Sequence, residues 1–135
     1  MDYAPWLCVP DALKFRREVC GGEDAVMRYC IDLALAGGER VAQILGTEVL
    51  GEKEQRNCPM AMVRLPLNSL SEADMTEARA WIEKTAAEEY GFFVPVIVHN
   101  GNLLVRLSAQ VYLTIEDFEE VGKGLALLCE RARAT

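Results

Sequence analysis

A single histidine, His99, and five cysteines with no C-x-x-C spacing leave this chain short of the ligand set a zinc site needs. No apolar run approaches the roughly eighteen residues of a membrane span, so none is expected. Basic residues are the minority, 14 Lys and Arg against 21 Asp and Glu, for a net charge of −7. That balance argues against nucleic acid or an anionic membrane surface as partner. The segment Met1-Asp2-Tyr3-Ala4-Pro5-Trp6 has neither the basic start nor the apolar centre of a signal peptide. The thiols Cys8, Cys20, Cys30, Cys58 and Cys129 adjoin no histidine or basic cluster and read as small hydrophobes of a reduced, cytoplasmic protein. Gly21-Gly22-Glu23 lacks the spaced glycines and the lysine of a phosphate loop, and reads as a helix break.

What is present is a chain of one-domain size with clear punctuation. Pro5 and Pro10 predict an extended entry over residues 1–10, followed by a short helix over Asp11–Val19. A long helix is expected from Glu23 to about Leu45. Its polar residues Asp24, Arg28, Asp32, Glu39 and Gln43 form one narrow stripe on a largely apolar cylinder. Such a helix wants burial on more than one side, either inside a compact domain or against a missing partner. Gly37-Gly38 is a potential kink. Residues 46–57 read as a solvated loop, and Pro59–Leu65 as a strand ended by Pro66.

Ser71 with Asp74 three residues on, and Thr114 with Asp117, predict two N-capped helices. Gly91 suits the end of the first of them. Between them Phe92–Val98 and Leu103–Tyr112 are strand-like, joined by Asn100-Gly101, a strong hairpin signal. The order from residue 58 is β-α-β-β-α. The fold class is therefore α+β: a long connecting helix, then a small domain on a three-stranded, mainly antiparallel sheet with one face open.

The last strand carries the residue of greatest chemical interest. Leu103, Val105, Leu107, Ala109 and Val111 alternate onto one face, and Arg106, Ser108 and Gln110 onto the other, beside Leu104. A strand-mounted guanidinium close to a helix start can bind both oxygens of a carboxylate. Alternation alone is equally met by an arginine on the wet side of a sheet. His99, at the hairpin tip, reads as solvated.

The run Arg106-Leu107-Ser108, then Tyr112, Thr114 and Glu116-Asp117, resembles the C-terminal signature of class V aminotransferases, which are pyridoxal-phosphate (PLP) enzymes. The segments Asp2-Tyr3-Ala4-Pro5-Trp6-Leu7-Cys8-Val9-Pro10, Ala12-Leu13-Lys14-Phe15-Arg16 and Gly21-Gly22-Glu23 are similar to the isopenicillin-N-epimerase-like and cysteine-desulfhydrase-like branch, fungal members in particular. The resemblance implies that Arg106 grips a substrate α-carboxylate. It implies that Tyr3 and Trp6 line the substrate entrance, and that residues 1–45 end a large domain and form the interdomain helix while 46–135 form the small domain. Family members are roughly three times as long. The resemblance places the Schiff-base lysine, the aspartate on the pyridine nitrogen and the stacking aromatic upstream of Met1, and Lys14, Lys53, Lys84 and Lys123 stand in no matching context. The implied partners are a missing large domain or second subunit, an amino-acid substrate and, in the complete enzyme, a homodimer mate. No cysteine stands between the last two strands, which argues against a persulfide mechanism and leaves elimination, epimerisation and transamination. Two other readings compete: a stand-alone amino-acid-binding module of ferredoxin-like type, and a fragment without activity.

Overall fold

The computed structural model describes residues 3–67 and 70–133. Helices α1 (Ala4–Leu7), α2 (Val9–Glu18) and α3 (Glu23–Leu45) are followed by strand β1 (Met60–Arg64). Helix α4 (Glu72–Glu89), strands β2 (Val96–His99) and β3 (Asn102–Ser108), and helix α5 (Ile115–Arg133) complete the order. The protein is α+β. Its sheet runs β1-β3-β2 with both pairings antiparallel.

The entry segment is helical rather than extended. Pro5 and Pro10 each fall in the first turn of a helix, where the missing N–H is not needed and the fixed φ favours the turn. Neither α1 nor α2 buries a residue. Trp6, Leu7, Leu13, Phe15 and Val19 all stand exposed. The arm is tied to α3 by Arg16, which donates to both carboxylate oxygens of Glu23 at 2.9 and 2.6 Å.

Helix α3 is the spine of the fold, packed against both α5 and β1. That double packing buries one broad side of the helix within the protein itself, while Met27 and Tyr29 stay exposed. It runs unbroken through Gly37-Gly38. The two glycines work as contacts instead. A Cβ on Gly37 would lie 2.3 Å from the Phe118 ring, and one on Gly38 2.6 Å from Ala61 Cβ. Their absence of side chain lets α3 lie close on α5 and on the sheet.

Helix α4 starts on a full capping box: Ser71 Oγ accepts from the Asp74 N–H, and the Asp74 carboxylate accepts from the Ser71 N–H. At α5 the Thr114 N–H donates to Asp117 Oδ2 at 2.7 Å. The hairpin is the two-residue turn its sequence demands. His99 pairs with Asn102, and Asn100 and Gly101 both take positive φ, 48° and 69°.

Residues 46–57 are more ordered than a free loop. Val49 forms an antiparallel bridge to Val63, Leu50 N–H donates to Met62 O at 2.7 Å, and Arg64 N–H to Glu48 O at 3.0 Å. Residues 48–50 thus cover part of the outer edge of β1. Arg56 holds the bend by donating to the carbonyls of Val49 and Gly51. Strand β3 stops at Ser108, short of Tyr112. Beyond it Leu113 N–H closes a turn onto Gln110 O, which leaves Val111 and Tyr112 exposed. Strand β2 likewise begins at Val96 rather than Phe92.

Candidate functional site

The sheet has one covered and one open face, and register assigns every strand residue to one of them. Val105 lies between Val63 and Val96; with Leu103, Leu107 and Ala61 these residues are buried under the helices. The open face holds the alternate set. Arg106 faces Met62 there, Ser108 faces Met60, and Leu104 lies between Arg64 and Ile97. Leu104 is only 3% exposed although it lies on the open side, whereas Arg106 and Ser108 are exposed.

Arg106 is fixed at its backbone and free at its head. Its N–H donates to Pro95 O at 3.0 Å, which extends the β2–β3 pairing by one bond. Among the described residues its guanidinium has no ion pair and no hydrogen bond. A hollow of about 230 Å³ adjoins it, lined by Pro95, Ser108, Leu113, Asp117 and Phe118 among others. Asp117 does not neutralise the arginine, since its carboxylate is engaged by Thr114 at the start of α5. An exposed cation with an ordered stem and no partner among the described residues is a ready donor site for a carboxylate.

A second arginine shares this face. Arg64 lies diagonal to Arg106 across the β1–β3 pairing, and its Nη2 is 3.5 Å from Glu48 Oε1. Its Nε is buried without a hydrogen-bond partner among the described residues. Glu48, Leu50, His99, Asn102 and Leu104 help line a hollow of about 130 Å³ around it. The alternation Met60, Met62, Arg64 in the strand already carried this placement, but the register to β3 that sets Arg64 beside Arg106 was not readable from sequence.

Tyr3 and Trp6 are elsewhere. Both are exposed, Trp6 at 77%, at the start of α1, and neither lines the hollow at Arg106. His99 is exposed at the hairpin. The five cysteines are unbridged. Burial pushes the Cys129 thiol up to about 12, which makes it inert as a nucleophile. Among the described residues no three His, Cys, Asp or Glu side chains gather as a metal site would need, and no helix is long and apolar enough to cross a membrane.

No family model matches the chain. Individual proteins do. It is 41% and 39% identical to two L-cysteine desulfhydrase-like proteins of Epichloe uncinata, each match covering 96% of the chain. It is 30% identical over 95% of its length to the hercynylcysteine sulfoxide lyase of Schizosaccharomyces pombe. Over nearly its whole length the chain is thus similar to desulfhydrase-like and lyase proteins, in keeping with the branch its sequence resembles. It spans about a third of the length of these relatives, 34%, 33% and 30% respectively. The first two alignments run over 152 positions, more than the 135 residues of the chain, so those relatives carry segments inside this region that the chain lacks.

Proposed function

We propose that this chain supplies the substrate-carboxylate grip of a PLP-dependent enzyme acting on an amino acid, working against a larger domain or subunit that holds the cofactor. The observation that carries the reading is Arg106: strand-mounted, exposed, and, among the described residues, without a side-chain partner on the open face of the sheet. Its fork of donors would hold both oxygens of the α-carboxylate and so fix the α-carbon in position.

The described residues of this chain do not fit a cofactor pocket. Lys14 is exposed on α2, Lys84 pairs with Glu88 at 4.0 Å on the surface of α4, and Lys123 donates to Glu120 at 2.6 Å on α5. None of the three is on the open face beside Arg106. The groups that bind PLP therefore belong, on this reading, to the larger partner region. The exposed apolar arm α1–α2, with Trp6, Leu7 and Phe15, supports such a partner, since apolar side chains clustered in the open mark a protein contact. Residues 1–45 then lead out of the large domain and residues 46–135 form the small one, with α3 rooting the arm in the small domain's core. The complete enzyme is a homodimer of the reducing cytoplasm, in keeping with five unbridged thiols.

Two of the relatives carry the name desulfhydrase and the third the name sulfoxide lyase. Elimination at a sulfur-bearing amino acid is thus favoured over epimerisation or transamination. The test is Arg106→Lys in the cofactor-loaded assembly. Replacing a bidentate fork with a point charge should raise KM for the amino acid about tenfold, the equivalent of about 1.4 kcal/mol of lost charge-assisted hydrogen bonding. An unchanged KM would remove Arg106 from the site.

A further inference from the structure

We infer that the open sheet face holds a second acid group through Arg64, so that its preferred ligand carries two carboxylates rather than one. The inference rests on the reading of Arg106 as the first carboxylate site and adds the class of substrate that site selects.

The register puts the two arginines on one face. Arg106 faces Met62, Arg64 faces Leu104, and the two lie on a diagonal of the β1–β3 ladder. Diagonal neighbours of a sheet stand about 7–8 Å apart, within reach of one flexible diacid. The floor between and beside them is apolar, from Met62, Leu104 and Ile97. A methylene chain would lie there with a carboxylate at either end.

Arg64 is loosely committed. Among the described residues its one ion pair is the 3.5 Å approach to Glu48, longer than a charge-assisted hydrogen bond, and the Glu48 side chain is 71% exposed. Its Nε–H is buried with no acceptor among the described residues. A buried donor without a partner is costly; Arg64 itself lines the hollow with Leu50, His99, Asn102 and Leu104, so an incoming oxygen has room at the guanidinium, and release of the Glu48 approach frees the side chain to turn Nε toward it. A ligand carboxylate that engages Nε and Nη together meets that donor. In doing so it takes the place of Glu48, which returns to water at little cost because it is already mostly solvated. Glu48 is thus an internal competitor: one carboxylate exchanges for another, and the charge at Arg64 stays balanced.

The experiment titrates the 135-residue chain with pentanoate and with adipate, which differ by one terminal carboxylate. Binding is read from the Nε–Hε resonances of Arg64 and Arg106 in nitrogen-labelled protein, and the amide spectrum reports whether each variant is folded. Pentanoate should shift Arg106 alone. Adipate should shift both arginines and bind about threefold tighter, the scale of one exposed ion pair. Glu48→Gln should tighten adipate by a further factor of about three and leave pentanoate unchanged, because it removes the competitor without disturbing Arg106. Arg64→Met should abolish the preference for adipate. Adipate binding no tighter than pentanoate, or an adipate preference that survives Arg64→Met, overturns the two-acid inference while Arg106 keeps its role. Failure of pentanoate to shift Arg106 overturns the underlying reading, and the inference with it.

Discussion

Adding a methyl at Gly37 sets two rules of helix energetics against each other. Glycine inside a helix is disfavoured relative to alanine by about 1 kcal/mol, so Gly37→Ala should stabilise an isolated α3. In the folded protein the new Cβ would lie 2.3, 2.5 and 2.7 Å from three carbons of the Phe118 ring. Ordinary carbon contacts begin near 3.5 Å, so the ring or the α3–α5 spacing must give by about 1 Å. Phe118 is 4% exposed and belongs to the continuous core, so moving its ring disturbs the side chains packed around it. Overpacking of this kind costs about 1–3 kcal/mol, and the clash with an aromatic ring puts this site toward the upper end. The net expectation is a loss of about 1–2 kcal/mol after the propensity gain is subtracted, or a fall in Tm of roughly 3–8 °C for a chain of this size. Urea denaturation of the purified chain measures it. Phe118→Leu supplies the internal control: the double variant should be less destabilised than the two single effects combined, by about 1 kcal/mol, since the smaller side chain opens the space the methyl needs. A Gly37→Ala variant more stable than the parent, or strict additivity with Phe118→Leu, would refute the close approach of α3 and α5.

Other outcomes follow from local geometry. Ser71→Ala removes the acceptor for the Asp74 N–H at the start of α4 and should cost about 1 kcal/mol in urea denaturation, with Ser71→Asp recovering most of it. Arg131 reaches across from α5 to hold both oxygens of Glu89 at the end of α4, and that hydrogen-bonded guanidinium keeps the Glu89 carboxyl below its ordinary value of 4.5. A depressed carboxylate contributes stability that is present at neutral pH and is lost as pH falls through the folded-state value. Glu89→Gln should therefore melt slightly below the parent at pH 7, with the gap closing in acid below pH 4.5; a gap that widens on acidification would contradict the pairing.

The parts of the fold that rest on short-range chemistry were readable in the sequence. Asn100-Gly101 supplies the two positive φ values of a tight hairpin, Ser71 and Thr114 announce their helices, and the alternation of Leu103, Val105 and Leu107 separates the buried face from Arg106. The parts that failed depend on context. Pro5 and Pro10 are compatible with both an extended chain and a first helical turn, and only the residues that follow decide between them. Gly37-Gly38 looks like a weak point along one helix and becomes a contact only once α5 and β1 are beside it. The polar residues around Glu48 and Glu52 hide a bridge whose stability comes from backbone bonds to β1 and from Arg56, not from their own side chains. At the site the strand pattern carried Arg106 to a face but not its neighbour: the alignment of β1 with β3 is a long-range choice, and it alone brings Arg64 across from Leu104.

The central claim, that Arg106 recognises a substrate carboxylate, is tested most directly by pairing the residue with the group it is said to hold. In the cofactor-loaded assembly, kcat/KM is measured for the amino-acid substrate and for its carboxamide, with the parent and with Arg106→Met. The account predicts that the parent discriminates against the carboxamide by about tenfold or more and that Arg106→Met loses most of that discrimination. Equal discrimination in parent and variant would contradict it.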